Sequence, residues 1–136
     1  MGSECTETKL RTHGVESAPR IVDATGCSLL ANPTEGGGEI WVLFAMPATS
    51  AAQLAHYVRC TAPPRVDWER DQLVVLGYQM GEIGEVRSVF DNGTTQTLVF
   101  TVGNRQESAD PMLDYALAFA LVPSDRKIDF VACPLP

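Results

Sequence analysis

Positive charge is scarce in this chain: ten Lys and Arg stand against 17 Asp and Glu in 136 residues, a net charge of −7. That balance argues against a polyanionic partner, so no nucleic-acid contact is expected, while a cationic protein remains compatible. Histidine is nearly absent. His13 and His56 are the two groups able to exchange protons near neutral pH, and neither lies beside a motif. No apolar run approaches the roughly 20 residues of a membrane-spanning helix, since Ile40 to Met46 and Tyr115 to Val122 are strand-sized. The Cys-x-x-Cys spacing of structural zinc sites is missing, so no metal is expected, and no motif for another cofactor is present. A phosphate-cradling loop is missing too: Gly36-Gly37-Gly38 leads into strand-like residues without the Lys that such a loop carries into a helix.

What remains is the composition of an ordinary globular domain, 45% hydrophobic and 20% charged. A chain of this length forms one domain and buries roughly two thirds of its unfolded surface. Residues 1–15, polar and without periodicity, are expected to form a flexible, extended N-terminal arm that adds little to the core, with residues 16–136 as the domain. Cys5, Cys27, Cys60 and Cys133 are even in number and widely scattered, which points to two disulfides in an oxidising compartment. Three connectivities are open. Cys5 with Cys27 and Cys60 with Cys133 is the favoured pairing, because it ties down the arm and pins a helix end to the last strand. Buried free thiols are the alternative. Met1 to Ser3 reads as a vector scar on an exported chain whose export signal was removed, secreted, periplasmic or on the outer surface, and Cys5 could carry lipid if a lipobox preceded it.

The most legible unit begins after Pro47. Ser50 and Gln53 form a capping box, and Ala51, Leu54, Ala55 and Val58 follow helical spacing, so a helix over 50–60 is expected to lay this stripe on a sheet. Pro63 and Pro64 forbid its continuation. Ile40 to Met46 before it and Gln72 to Met80 after it are strand-like and apolar. Asp91-Asn92-Gly93-Thr94 separates Glu85–Phe90 from Thr95–Val102, and Asn-Gly predicts a hairpin with a type I′ turn. From Leu98 onward, the even positions of the second arm are expected to face the core. Tyr115 to Val122 and Lys127 to Ala132, joined by Pro123-Ser124-Asp125-Arg126, complete the pattern. The fold class is therefore α+β: a mainly antiparallel sheet of about six strands with one packed helix.

Helix, Pro64-Arg65-Val66-Asp67-Trp68, buried strand Leu73-Val74-Val75, hairpin, then an apolar strand ending in Val122-Pro123-Ser124-Asp125 and a final Ile128-Asp129-Phe130: this order resembles the C-terminal domain of PrcB-type bacterial lipoproteins over roughly residues 40–131. The resemblance implies an exported domain that stabilises a cell-surface protease. Where that family carries a Gly-Gly-Tyr-like motif, this chain has Gly81-Glu82-Ile83-Gly84.

Candidate chemistry is thin. His56 and Cys60 are spaced for a nucleophilic dyad, and hydrolase activity built on them is the weakest of three functional readings, because no oxyanion feature accompanies them. Asp67, Glu69 and Asp71 lack calcium-loop offsets. Asp67 is expected to accept hydrogen bonds that fix a turn, and Trp68 to anchor that turn on the core. Tyr78, Met80, Glu82, Ile83 and Glu85 gather at a strand end and the loop beyond it, a place for a protein to dock. The leading reading is a non-enzymatic extracytoplasmic module that binds a protein partner, stabilising or inhibiting it. The runner-up is a carrier of a small apolar ligand, with a pocket between helix and sheet near Trp41.

Overall fold

The computed structural model describes residues 5–29, 43–78, 81–104 and 116–134. Its elements, in chain order, are α1 (Glu7–Arg11), β1 (Val15–Ser17), β2 (Arg20–Val22), β3 (Cys27–Leu29), β4 (Leu43–Ala48), α2 (Ala51–Tyr57), β5 (Val58–Cys60), β6 (Asp71–Tyr78), β7 (Gly81–Asp91), β8 (Thr95–Asn104), β9 (Ala116–Pro123) and β10 (Lys127–Pro134). The protein is mainly β. One sheet runs β1-β7-β8-β10, a second runs β2-β9-β6-β4, and β3 pairs with β5 in a third, two-stranded sheet. The expected single sheet is thus two four-stranded sheets face to face, mostly antiparallel, and the described helices are short.

Period-two alternation explains how three apolar clusters form. Val74 and Leu76 of β6, Ala120 and Val122 of β9, and Leu98 and Phe100 of β8 point inward and fill the space between the two large sheets. Their neighbours point outward. Leu73, Val75 and Phe119 leave the second sheet on its far side, where Leu54, Val58 and the half-buried Trp68 cover them. Phe90, Val99, Val131 and Cys133 leave the first sheet on its far side and are covered by Leu10 of α1. β8 is consequently buried on both faces, with Thr97, Val99 and Thr101 as inaccessible as Leu98 and Phe100. Leu98 and Phe100 thus face the core as expected, and the odd positions are covered as well.

The expectation of an extended N-terminal arm is corrected. Thr6 caps α1 by accepting a hydrogen bond from the Lys9 amide at 3.2 Å, and Leu10, 6% exposed, packs on the sheet. Gly14 then passes so close to the hairpin that a Cβ there would stand 2.2 Å from the Asp91 carbonyl oxygen. Its φ of +127° suits glycine and few other residues.

The cysteine pairing also differs from the favoured one. Cys5 bonds Cys133 and Cys27 bonds Cys60. The cause is strand adjacency: Cys27 and Cys60 are direct partners in the β3–β5 ladder, whereas Cys133 lies on the opposite side of the molecule, on the strand beneath α1. With both cysteines of the N-terminal region claimed by different sheets, they cannot pair with each other. Two disulfides suggest an oxidising, extracytoplasmic compartment. Among the described residues no helix is long and apolar enough to cross a membrane.

The hairpin forms as expected, with Asp91 opposite Gln96. Its turn is of another kind. The Asn92 amide donates to the Thr95 carbonyl oxygen, leaving Gly93 and Thr94 at the tip, and Gly93 carries the positive φ of 96° at the first central position while Asn92 does not. Gly at that position is the type II′ preference. The Asn92 side-chain oxygen instead accepts from the Thr94 and Thr95 amides.

β9 and β10 are joined by a tight turn yet belong to different sheets, and β10 runs parallel to β8 from Lys127 opposite Thr95 to Pro134 opposite Val102. Buried Gln72 holds this crossing, donating from Nε2 to the carbonyls of Pro123 at 2.9 Å and Arg126 at 2.8 Å. Arg126 also meets Asp91 at 3.1 Å, tying the crossing to the hairpin.

Candidate functional site

An apolar groove is built around α2. Ser50 accepts a hydrogen bond from the Gln53 amide at 3.1 Å, and the Gln53 side chain accepts in return from Thr49, both amide and hydroxyl. The capping box is therefore present, with its return bond displaced by one residue. The helix is shorter than expected, ending at Tyr57 because Val58 turns to extended backbone, φ −138° and ψ 155°. Residues 58–60 then become β5, drawn away from the helix by pairing with β3.

This early exit leaves the helical stripe half uncovered. Leu54 and Val58 are buried, but Ala51 and Ala55 remain exposed rather than packed on the sheet. Opposite them, Pro63, Pro64 and Trp68 form a second wall. The Asp67 carbonyl holds that wall by accepting from the Arg70 and Asp71 amides, and its carboxylate accepts from the Glu69 amide at 3.3 Å. Trp68 is anchored on Leu54 and its cluster as the residue pattern predicts. Between the walls lies a groove of about 430 Å³, open to solvent along one side, with Arg59 and Cys60 also in its lining.

A second, shallower concavity of about 380 Å³ opens between the edges of the two large sheets, where Ile21 and Asp23 of the β2 segment meet Glu85 and Phe119. Ile21 is 57% exposed and Val15, on the neighbouring edge, 76%.

Those of the residues singled out for partner binding that are described lie on two strands, β6 and β7. Tyr78 ends β6, opposite Leu43 and Ala116, while Glu82 and Ile83 belong to β7 in the other sheet, opposite Gly103 and Val102. Gly81 to Gly84 is thus strand rather than loop, because the chain re-enters a ladder almost at once after β6. Met80 lies outside the described residues, as does Trp41. Glu85 is exposed at an irregularity in β7, its amide donating to the Thr101 hydroxyl at 3.0 Å, and it borders the second concavity.

Electrostatics here serve the fold. Arg20 grips buried Asp71 with two hydrogen bonds of 2.8 Å, and these, aided by the charges of Arg20 and Arg70, hold the Asp71 carboxyl below its usual range against the opposing pull of burial. Asp91 is lowered by the Gln96 side chain first, then by the Gly93 amide and Arg126. Asp23 is lowered by the Thr25 hydroxyl and amide. The Cys60 sulfur is bonded to Cys27, so the His56–Cys60 pair has no thiol to act as nucleophile.

A depressed carboxyl stabilises the fold at pH values above its unfolded pKa of about 3.9, and that stabilisation is lost as pH falls through the lower folded value. Arg20→Ala is expected to cost about 1–3 kcal/mol at pH 7 by leaving Asp71 unpaired. The gap to wild type should narrow below pH 4, measured by urea unfolding across pH 2–7; a gap independent of pH would refute the pairing.

The alanines and Pro63 escaped notice as site residues. Their signal was present as small side chains on an otherwise apolar helix stripe followed by two prolines, a pattern that leaves room beside a helix without filling it. Comparison with protein-family models, with characterised proteins and with solved structures gives no match.

Proposed function

We propose that this protein is a non-enzymatic extracytoplasmic binding module that takes an apolar segment of a protein partner into the groove between α2 and the Pro63–Trp68 turn, thereby stabilising or inhibiting that partner. The observation that carries this reading is the groove itself: apolar walls, of which Leu54 and Val58 pack against the second sheet, and one side open to solvent. An open groove admits a chain passing through it, which an enclosed cavity does not. Aromatic and proline walls suit an extended segment whose side chains alternate in and out. The resemblance in element order to PrcB-type domains agrees with a protease or its regulator as the partner.

The test is a benzophenone amino acid installed at Ala55, with Glu16 on β1 as the control position. Irradiation in the exported fraction of the native host should give an adduct from position 55, competed by unlabelled wild type but not by an Ala51→Glu variant. Equal adducts from positions 55 and 16 would overturn the reading.

A small apolar ligand is the second reading, favoured by the groove volume of about 430 Å³, which falls within the range of ligand pockets. Native mass spectrometry of gently purified protein checks it: a stoichiometric extra mass, lost on organic extraction, is the expected sign of a carrier.

A further inference from the structure

The overall charge of −7 points toward a cationic partner, but the groove carries the opposite sign. No Asp or Glu occurs from Ile40 to Val66, although the chain holds 17 of them, and that stretch supplies every groove-lining residue except Trp68. Within it, Arg59 lines the groove, exposed and without an ion-pair partner among the described residues, and its neighbour across the β3–β5 ladder is the uncharged Ser28. Asp67 and Glu69 flank Trp68 in the chain, and Asp67 is engaged by Arg70 at 3.7 Å and by the Glu69 amide.

We infer that the occupant of the groove is an acidic apolar peptide segment: one or two large apolar side chains seated on Leu54, Val58 and Trp68, with an adjacent Asp or Glu carboxylate meeting the Arg59 guanidinium. This inference rests on the docking reading above and adds the charge of the partner to it. Guanidinium pairs with carboxylate through two parallel hydrogen bonds, so Arg59 would set the direction in which the segment lies as well as selecting its charge. None of the groove-lining residues is Asp or Glu, so the lining itself adds no repulsion against an anionic segment.

Two fluorescein-labelled peptides, Glu-Leu-Phe-Leu-Glu and Lys-Leu-Phe-Leu-Lys, distinguish the possibilities by fluorescence anisotropy with the intact protein. The acidic peptide should bind about fivefold tighter at low salt, the expected scale for one exposed charge pair. That preference should shrink toward 0.5 M NaCl and reverse in Arg59→Glu, while Ala55→Glu weakens both peptides. Circular dichroism of the variants confirms that they fold. Equal affinities, or a preference for the Lys peptide, would overturn the charge inference and leave groove docking standing. Binding of neither peptide, or binding that Ala55→Glu leaves untouched, would overturn docking as well, and tight binding of dodecanoate alone would assign the groove to a small ligand.

Discussion

Replacing Cys5 and Cys133 together by alanine should lower the unfolding free energy by about 5 kcal/mol, more than the same change at the other disulfide. The chain-entropy argument sets the scale. A cross-link between residues 128 apart removes more freedom from the unfolded ensemble than one between residues 33 apart, for which the same relation gives about 4 kcal/mol. The first disulfide also keeps α1 on its sheet, so its loss should free the first turn and expose Leu10, Phe90, Val99 and Val131. Since small domains are stable by about 5–15 kcal/mol in total, the variant should be marginal at 37 °C. Guanidinium unfolding of both alanine pairs against wild type measures the difference, and hydrogen exchange at Leu10 reports the cover. If the Cys27/Cys60 pair proves the costlier loss, the long-range closure is not the main stabiliser.

The second large effect is expected at Phe100. Its side chain is fully buried between the two main sheets, beside Val74 and Leu76 and with the Phe130 ring centroid 5.8 Å away. Phe100→Ala removes a ring from a space bounded by two hydrogen-bonded sheets, which cannot close over the cavity, and should cost about 3–5 kcal/mol. Urea unfolding should show a lower midpoint with an unchanged slope, because the surface exposed on unfolding hardly alters. Val15→Ala, at a side chain that is 76% exposed, should shift stability by less than about 0.5 kcal/mol. A loss at Phe100 no larger than at Val15 would contradict the two-sheet packing.

Parts of this architecture can be read directly from residues because their causes are local. The Asn92-Gly93 tip, the Ser50–Gln53 cap, the apolar run Leu73 to Leu76 and the turn at Asp67 each draw on neighbours within a few positions. Turn type was harder: Asn92 keeps a negative φ because its side chain is committed to the Thr94 and Thr95 amides, which no dipeptide rule conveys. The groove was half legible. Its helix and its prolines are plain in the sequence, but the exposure of Ala51 and Ala55 depends on β5 leaving the helix at Val58 to pair with β3. Gly81 to Gly84 reads as a loop because glycines suggest turns, whereas pairing with β8 makes it the start of a strand.

The sequence by itself determined most of the longer strands, where α2 begins, that the chain carries no strong catalytic or metal motif, and that its even set of scattered cysteines suits an oxidising compartment. Alternation, capping and turn chemistry are properties of neighbouring residues, so they survive without knowledge of the rest. Tertiary structure alone decided that the strands divide between two sheets, that β10 lies parallel to β8, that α1 covers an outer face, that Cys5 reaches Cys133 and that a groove opens beside α2. A period of two says that successive side chains part to opposite faces, but what covers each face is settled by segments far away in the chain. Leu10 and Val99, brought together across most of its length, show why no local pattern could have paired them.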